Sequence, residues 1–89
     1  MSERRDPKER RNAVALRYDE SLPAPIIIAN LSGRAVERAL DLAKEAGVPI
    51  VRDPAVTTAL LPLEVGQLVP PEYWRIVADV FVIIRKVRA

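Results

Sequence analysis

The side chains that carry most enzyme chemistry are missing from this chain, which has neither cysteine nor histidine. Disulfides, thiolate metal sites and thiol nucleophiles are thereby excluded. So are the commonest general base and the Ser-His-Asp and Cys-His dyads. An oxygen-only Mg or Ca site would need clustered acids, and here they are scattered without EF-hand spacing. The segment Asn30-Leu31-Ser32-Gly33-Arg34 leads from a strand toward a helix, where backbone N–H groups can hold an anion. It has one glycine and no Walker lysine, so a simple strand-to-helix turn explains it better than a phosphate loop. Thr57 and Thr58 have no base beside them, and Asp19-Glu20 sits in a proline-flanked, solvated loop. Glu37 and Asp41, with Arg34 and Arg38, make an ordinary charged helix face. No enzymatic constellation remains, and neither metal nor cofactor is expected.

The composition bounds what is left. Eighty-nine residues make one domain, 49% apolar and 29% charged, the balance of a folded soluble protein. The longest apolar run, Val80 to Ile84, is five residues, against about 20 needed to cross a bilayer. Residues 1–11 are too polar for a signal peptide, and a cytoplasmic location is expected. The net charge of +2 sits in those same residues: Arg4, Arg5, Lys8, Arg10 and Arg11 against Glu3, Asp6 and Glu9. The body is neutral, which disfavours a nucleic-acid binder. Residues 1–11 are expected to be a flexible basic tail and residues 12–89 the domain.

Strand signals come first. Asn12 to Tyr18 is a short apolar run bounded by charge, and Ile26-Ile27-Ile28-Ala29 carries a β-branched run of three isoleucines. Pro23 and Pro25 make the connection a loop, too short for a crossover helix, so the pair should be antiparallel. Ser32 is the expected N-cap of a helix from Gly33 to Ala46, with Gly47 as its left-handed C-cap. Val48-Pro49-Ile50-Val51 reads as a third strand, giving a βαβ unit with a right-handed crossover. Asp53-Pro54 caps a short helix ending before Pro62, and residues 62–70 form a turn-rich connection pivoting on Gly66. The fold class is α/β: a small mixed sheet of three or four strands flanked by three helices.

The last helix opens at Pro70-Pro71-Glu72 and runs to about Arg88. Its positions Tyr73, Ile76, Val77, Val80, Ile83, Ile84 and Val87 form one stripe that should face the sheet. Trp74, Ala78 and Phe81 fall on the flank of that stripe, beside Arg85. The apolar arc is wider than docking on one sheet face needs. Either the helix is packed on two sides, or the flank is an exposed partner site.

Set in order, these residues resemble a known family. Ala13 to Glu20, Ala24-Pro25, and the helix ending in Gly47-Val48-Pro49 are similar to the soluble C-terminal domain of the FlhB/YscU export-gate proteins of bacterial flagella and type III secretion systems. Asp53-Pro54 with Ala59-Leu60, then Glu64-Val65-Gly66-Gln67, then Pro70 continue the resemblance over residues 12–88. One departure stands out. The family carries Asn-Pro-Thr-His before the tyrosine of the first strand and cuts itself there by cyclisation of the asparagine. Here the positions read Lys8, Glu9, Arg10 and Arg11, followed by Asn12 and Ala13. Without the cyclising group, no self-cleavage is expected.

The resemblance implies a non-catalytic role in recognising export substrates, or in the switch from hook/rod-type to filament-type export. The partners it implies are the export gate and rod/hook-type substrates, with membrane association only through the gate. It implies that an apolar patch binds substrate, at positions matching Ala24, Pro25, Ala78 and Phe81, with Trp74 on the same flank. On this reading Ala78→Asp and Phe81→Asp abolish binding without unfolding the domain. The alternative is a small RNA-binding α/β domain of the ribosomal L7Ae/L30e type, which also runs a helix into a Gly-Val-Pro strand, here Gly47-Val48-Pro49.

Overall fold

The structure, a computed structural model, describes residues 11–88, without the side chains of Val87 and Arg88. The expected tail, including Lys8, Glu9 and Arg10, lies outside the described residues apart from its last member. Arg11 is tied down: its carbonyl accepts from Gly33 N–H at 2.9 Å and its guanidinium pairs with Glu37.

Strand β1 (Asn12–Arg17) pairs antiparallel with β2 (Ile26–Ser32), as the short proline loop requires. The register slips between Ala15 and Leu16, so Ile28 has no partner across the pair and stands half-exposed while Ile27 is fully buried. Helix α1 (Ala35–Glu45) ends at Gly47, whose φ of 73° suits glycine. Gly47 N–H reaches the Lys44 carbonyl and Val48 N–H the Ala43 carbonyl, the paired bonds of a Schellman cap. Helix α2 (Pro54–Leu60) starts under Asp53, whose carboxylate accepts from Val56 N–H at 3.2 Å. A 3-10 turn at Pro71–Tyr73 leads into α3 (Trp74–Arg88).

Ile27, Leu60, Val69 and Val77 form the buried centre, so β2, α2, the segment before α3, and α3 each supply one residue. Val14, Leu16, Val56, Leu63, Tyr73, Ile76 and Phe81 pack around it. Burying a side chain of this size is worth roughly 1.5–3 kcal/mol. Asn30 adds a polar tether: its side-chain amide donates to the Leu63 carbonyl at 2.5 Å and more weakly to that of Leu61. It thus fastens β2 to the turn after α2.

The α/β class with three helices matches the expectation, but the sheet does not. Among the described residues it has two strands, and Val48–Val51 is not one of them. The expected βαβ unit is therefore not formed. The cap takes Val48 N–H, and Pro49 has none to offer, so the segment starts with its ladder donors removed. The other edge of β2 is instead covered by residues 66–69. Ile27 N–H donates to the Gln67 carbonyl at 2.9 Å, Gly66 N–H to that of Ile27 at 2.7 Å, and Ile26 bridges Leu68. Ser32 is not the helix cap either. It belongs to β2, and its hydroxyl donates to Asn12 Oδ1 at 2.8 Å. In the α3 stripe, Ile83 is 44% exposed rather than buried, and Val87's side chain is outside the described set.

Candidate partner-binding surface

Proline at 25 fixes the entry to β2, and the chain around it is held by main-chain bonds to the segment before α3. Val69 N–H donates to the Pro25 carbonyl at 2.8 Å. The Val69 carbonyl then accepts the indole N–H of Trp74, also at 2.8 Å. Val69, itself buried, therefore links Pro25 to Trp74 through its two main-chain groups. Trp74 keeps 46% of its surface exposed with its only polar atom already satisfied. What it offers a partner is an apolar ring of fixed orientation.

One helical turn on, Ala78 is exposed, and Phe81 follows at the next position of the same face. Phe81 is half-buried against the core, and its ring meets that of Tyr18 at a centroid distance of 6.0 Å and a tilt of 42°. Tyr18 is 52% exposed and begins the β1–β2 loop. Asp19 shapes that loop. Its carboxylate accepts from Ser21 N–H at 2.9 Å and from the Ser21 hydroxyl, and Leu22 N–H closes on the Asp19 carbonyl at 3.0 Å. The bonds from the Ser21 hydroxyl and N–H, with the Arg17 guanidinium at 3.4 Å, hold the exposed Asp19 carboxyl below its ordinary value.

The expected site residues thus divide. Trp74, Ala78 and Phe81 share one face of α3, and Pro25 is joined to Trp74 through Val69. Ala24 is buried, 5% exposed, and so does not line an exposed surface. Tyr18 was not among the expected positions. Its ring contact with Phe81 joins residues far apart in the chain, and local patterning carries no trace of it.

Asn30, the first residue of the weak phosphate-loop reading, spends its amide on two carbonyls. No group of acidic side chains able to hold a metal occurs among the described residues. What the arrangement exposes is apolar: the Trp74 ring, Ala78 and part of Phe81.

Comparisons with known proteins bear on the same span of chain. Residues 10–84 match the sequence model of the FlhB HrpN YscU SpaS family. The flagellar biosynthetic protein FlhB of Aquifex aeolicus is 33% identical over 70 residues, covering 76% of this chain but only 20% of that protein. The uncharacterized protein YlqH of Bacillus subtilis is 38% identical over 77 residues, covering 85% of this chain and 83% of YlqH. Among solved structures, the PscU C-terminal domain superposes with a TM-score of 0.78 at 24% identity, over 82% of this chain and 95% of that one. The native SpaS C-terminal domain gives 0.80 at 20% identity, over 88% and 92%. At these identities the two structures bear on fold alone.

Proposed function

The chain belongs to the FlhB HrpN YscU SpaS family, and from that membership we propose that it is a non-catalytic binding component of the bacterial flagellar or type III protein export apparatus. It recognises export substrates of the rod/hook type or takes the place of the gate's C-terminal fragment in switching substrate specificity. The observation that carries this reading is the apolar surface of Trp74, Ala78 and Phe81, extended by Tyr18 and linked through Val69 to Pro25. Exposed apolar groups held this rigidly fit a partner side chain better than they fit solvent.

The family is known for cutting its own chain, and here the positions Lys8, Glu9, Arg10 and Arg11 carry no asparagine to cyclise. The chain accordingly stays intact. It works in the cytoplasm and meets the membrane only through the export gate. No helix among the described residues is long and apolar enough to cross a bilayer. The RNA-binding alternative has no supporting observation, since the Gly-Val-Pro strand on which it rested is not formed.

A pull-down of the purified protein against rod/hook-type export substrates and the membrane part of the export gate tests the proposal. Saturable capture of either supports it. Salt-sensitive capture of RNA with no export component would overturn it.

A further inference from the structure

One polar atom on the apolar surface is left over. Of the side chains of Trp74, Ala78, Phe81 and Tyr18, only the indole and the phenol carry a polar group. The indole N–H of Trp74 is spent on the Val69 carbonyl at 2.8 Å. Tyr18 is 52% exposed, and among the described residues its hydroxyl makes no hydrogen bond.

Its neighbours in the chain leave it alone. The Asp19 carboxylate accepts from Ser21 N–H at 2.9 Å, from the Ser21 hydroxyl, and from Arg17 at 3.4 Å. Glu20 is exposed and makes no bond to the phenol. The loop is therefore shaped without the hydroxyl, and the ring rests against Phe81 at a centroid distance of 6.0 Å. Solvent serves the hydroxyl in the free protein. A partner side chain seated on Phe81 also lies against the Tyr18 ring beside it and displaces that solvent. The hydroxyl then either bonds to the partner or is covered without a bond, which is costly.

We propose that Tyr18 is a specificity-determining residue of this surface. It selects partner segments in which a hydrogen-bond-accepting oxygen stands beside the apolar side chain that contacts Phe81. The inference rests on the function proposed above and adds the chemistry that the surface reads. A phenol proton is more acidic than that of an alcohol, so donation is its stronger bond and an oxygen acceptor its match. The ring widens the apolar contact, while the hydroxyl disfavours segments that are apolar but lack the acceptor. A polar group left unpaired discriminates more sharply than a missing methylene does.

The test titrates a purified rod/hook-type export substrate into the parent protein, Tyr18→Phe and Ala78→Asp by calorimetry. Phenylalanine keeps the ring on Phe81 and removes only an exposed hydroxyl, so thermal unfolding of Tyr18→Phe should match the parent. Its binding should be about tenfold weaker. A second measurement reads the hydroxyl itself. In carbon-13 NMR of the tyrosine rings, with Tyr73 as internal reference, the Tyr18 phenol should titrate at higher pH in the complex than in the free protein, because a donated proton is held. The proposal is overturned if Tyr18→Phe binds as tightly as the parent while Ala78→Asp does not, a result that leaves the surface as the binding site. It is overturned equally if the phenol titration stays in place or moves down. No binding by the parent, or equal binding by Ala78→Asp, overturns the functional reading and this proposal together.

Discussion

The indole N–H of Trp74 donates to the main-chain carbonyl of Val69 at 2.8 Å, while the ring keeps nearly half its surface in solvent. An exposed tryptophan on a helix would ordinarily sample several rotamers. This one is pinned to a buried residue that is itself bonded to Pro25, so the surface presented to a partner is ordered before binding. Ordering a large side chain in advance removes about 0.5–1.5 kcal/mol from the cost of association.

Trp74→Phe keeps an aromatic ring but removes the donor. The expected loss of stability is about 1 kcal/mol, the net worth of one hydrogen bond. Chemical denaturation should show a lower midpoint at an unchanged slope, because the fold is kept.

Ala78→Asp and Phe81→Asp are not equivalent, although the sequence pattern treats them alike. Ala78 is exposed, so its aspartate variant should fold with a stability within about 0.5 kcal/mol of the parent. Phe81 packs on the core beside Tyr18, so a carboxylate there should destabilise the domain by roughly 3 kcal/mol or more. Thermal unfolding of the two variants side by side checks the difference.

Asn30→Ala leaves the Leu63 and Leu61 carbonyls without their donor and loosens the tie between β2 and the turn after α2. A cost of about 1–3 kcal/mol is expected. Hydrogen exchange should show the turn after α2 opening more often, with β1 protection less affected.

Asp19 makes the loop that carries Tyr18 sensitive to acid. Its carboxyl is held below the ordinary value of 3.8 by the Ser21 hydroxyl and N–H and by Arg17. A lowered folded pKa means that the contribution is complete above 3.8 and is lost as pH falls through the lower folded value. Following the Ser21 amide by NMR, the transition midpoint should lie below 3.8. A midpoint above that value would contradict the assigned hydrogen bonds.

Much of this fold is legible in the residues, and the parts that are not share a cause. Gly47 and Asp53-Pro54 mark helix ends because their chemistry is local: a positive φ in one case, a side-chain acceptor in the other. The two strands announce themselves by apolar and β-branched runs. The third strand misleads, because Val48-Pro49-Ile50-Val51 has strand-like side chains but spends or lacks its first ladder donors. The segment that does cover β2, residues 66–69, is hidden between Gly66 and Pro70, and only long-range hydrogen bonds reveal it. The candidate surface behaves the same way. The face shared by Trp74, Ala78 and Phe81 follows from helical spacing. Tyr18 joins it through a ring contact that no local pattern encodes.

The central claim is that the Trp74, Ala78 and Phe81 surface recognises a protein of the export apparatus. The most direct measurement is calorimetric titration of a rod/hook-type export substrate into the parent protein and into Ala78→Asp, with thermal unfolding recorded for both. The account predicts saturable binding to the parent and at least about a tenfold loss in the variant at unchanged fold, as expected for a charge placed in an apolar contact. Equal binding by a folded Ala78→Asp protein would contradict it.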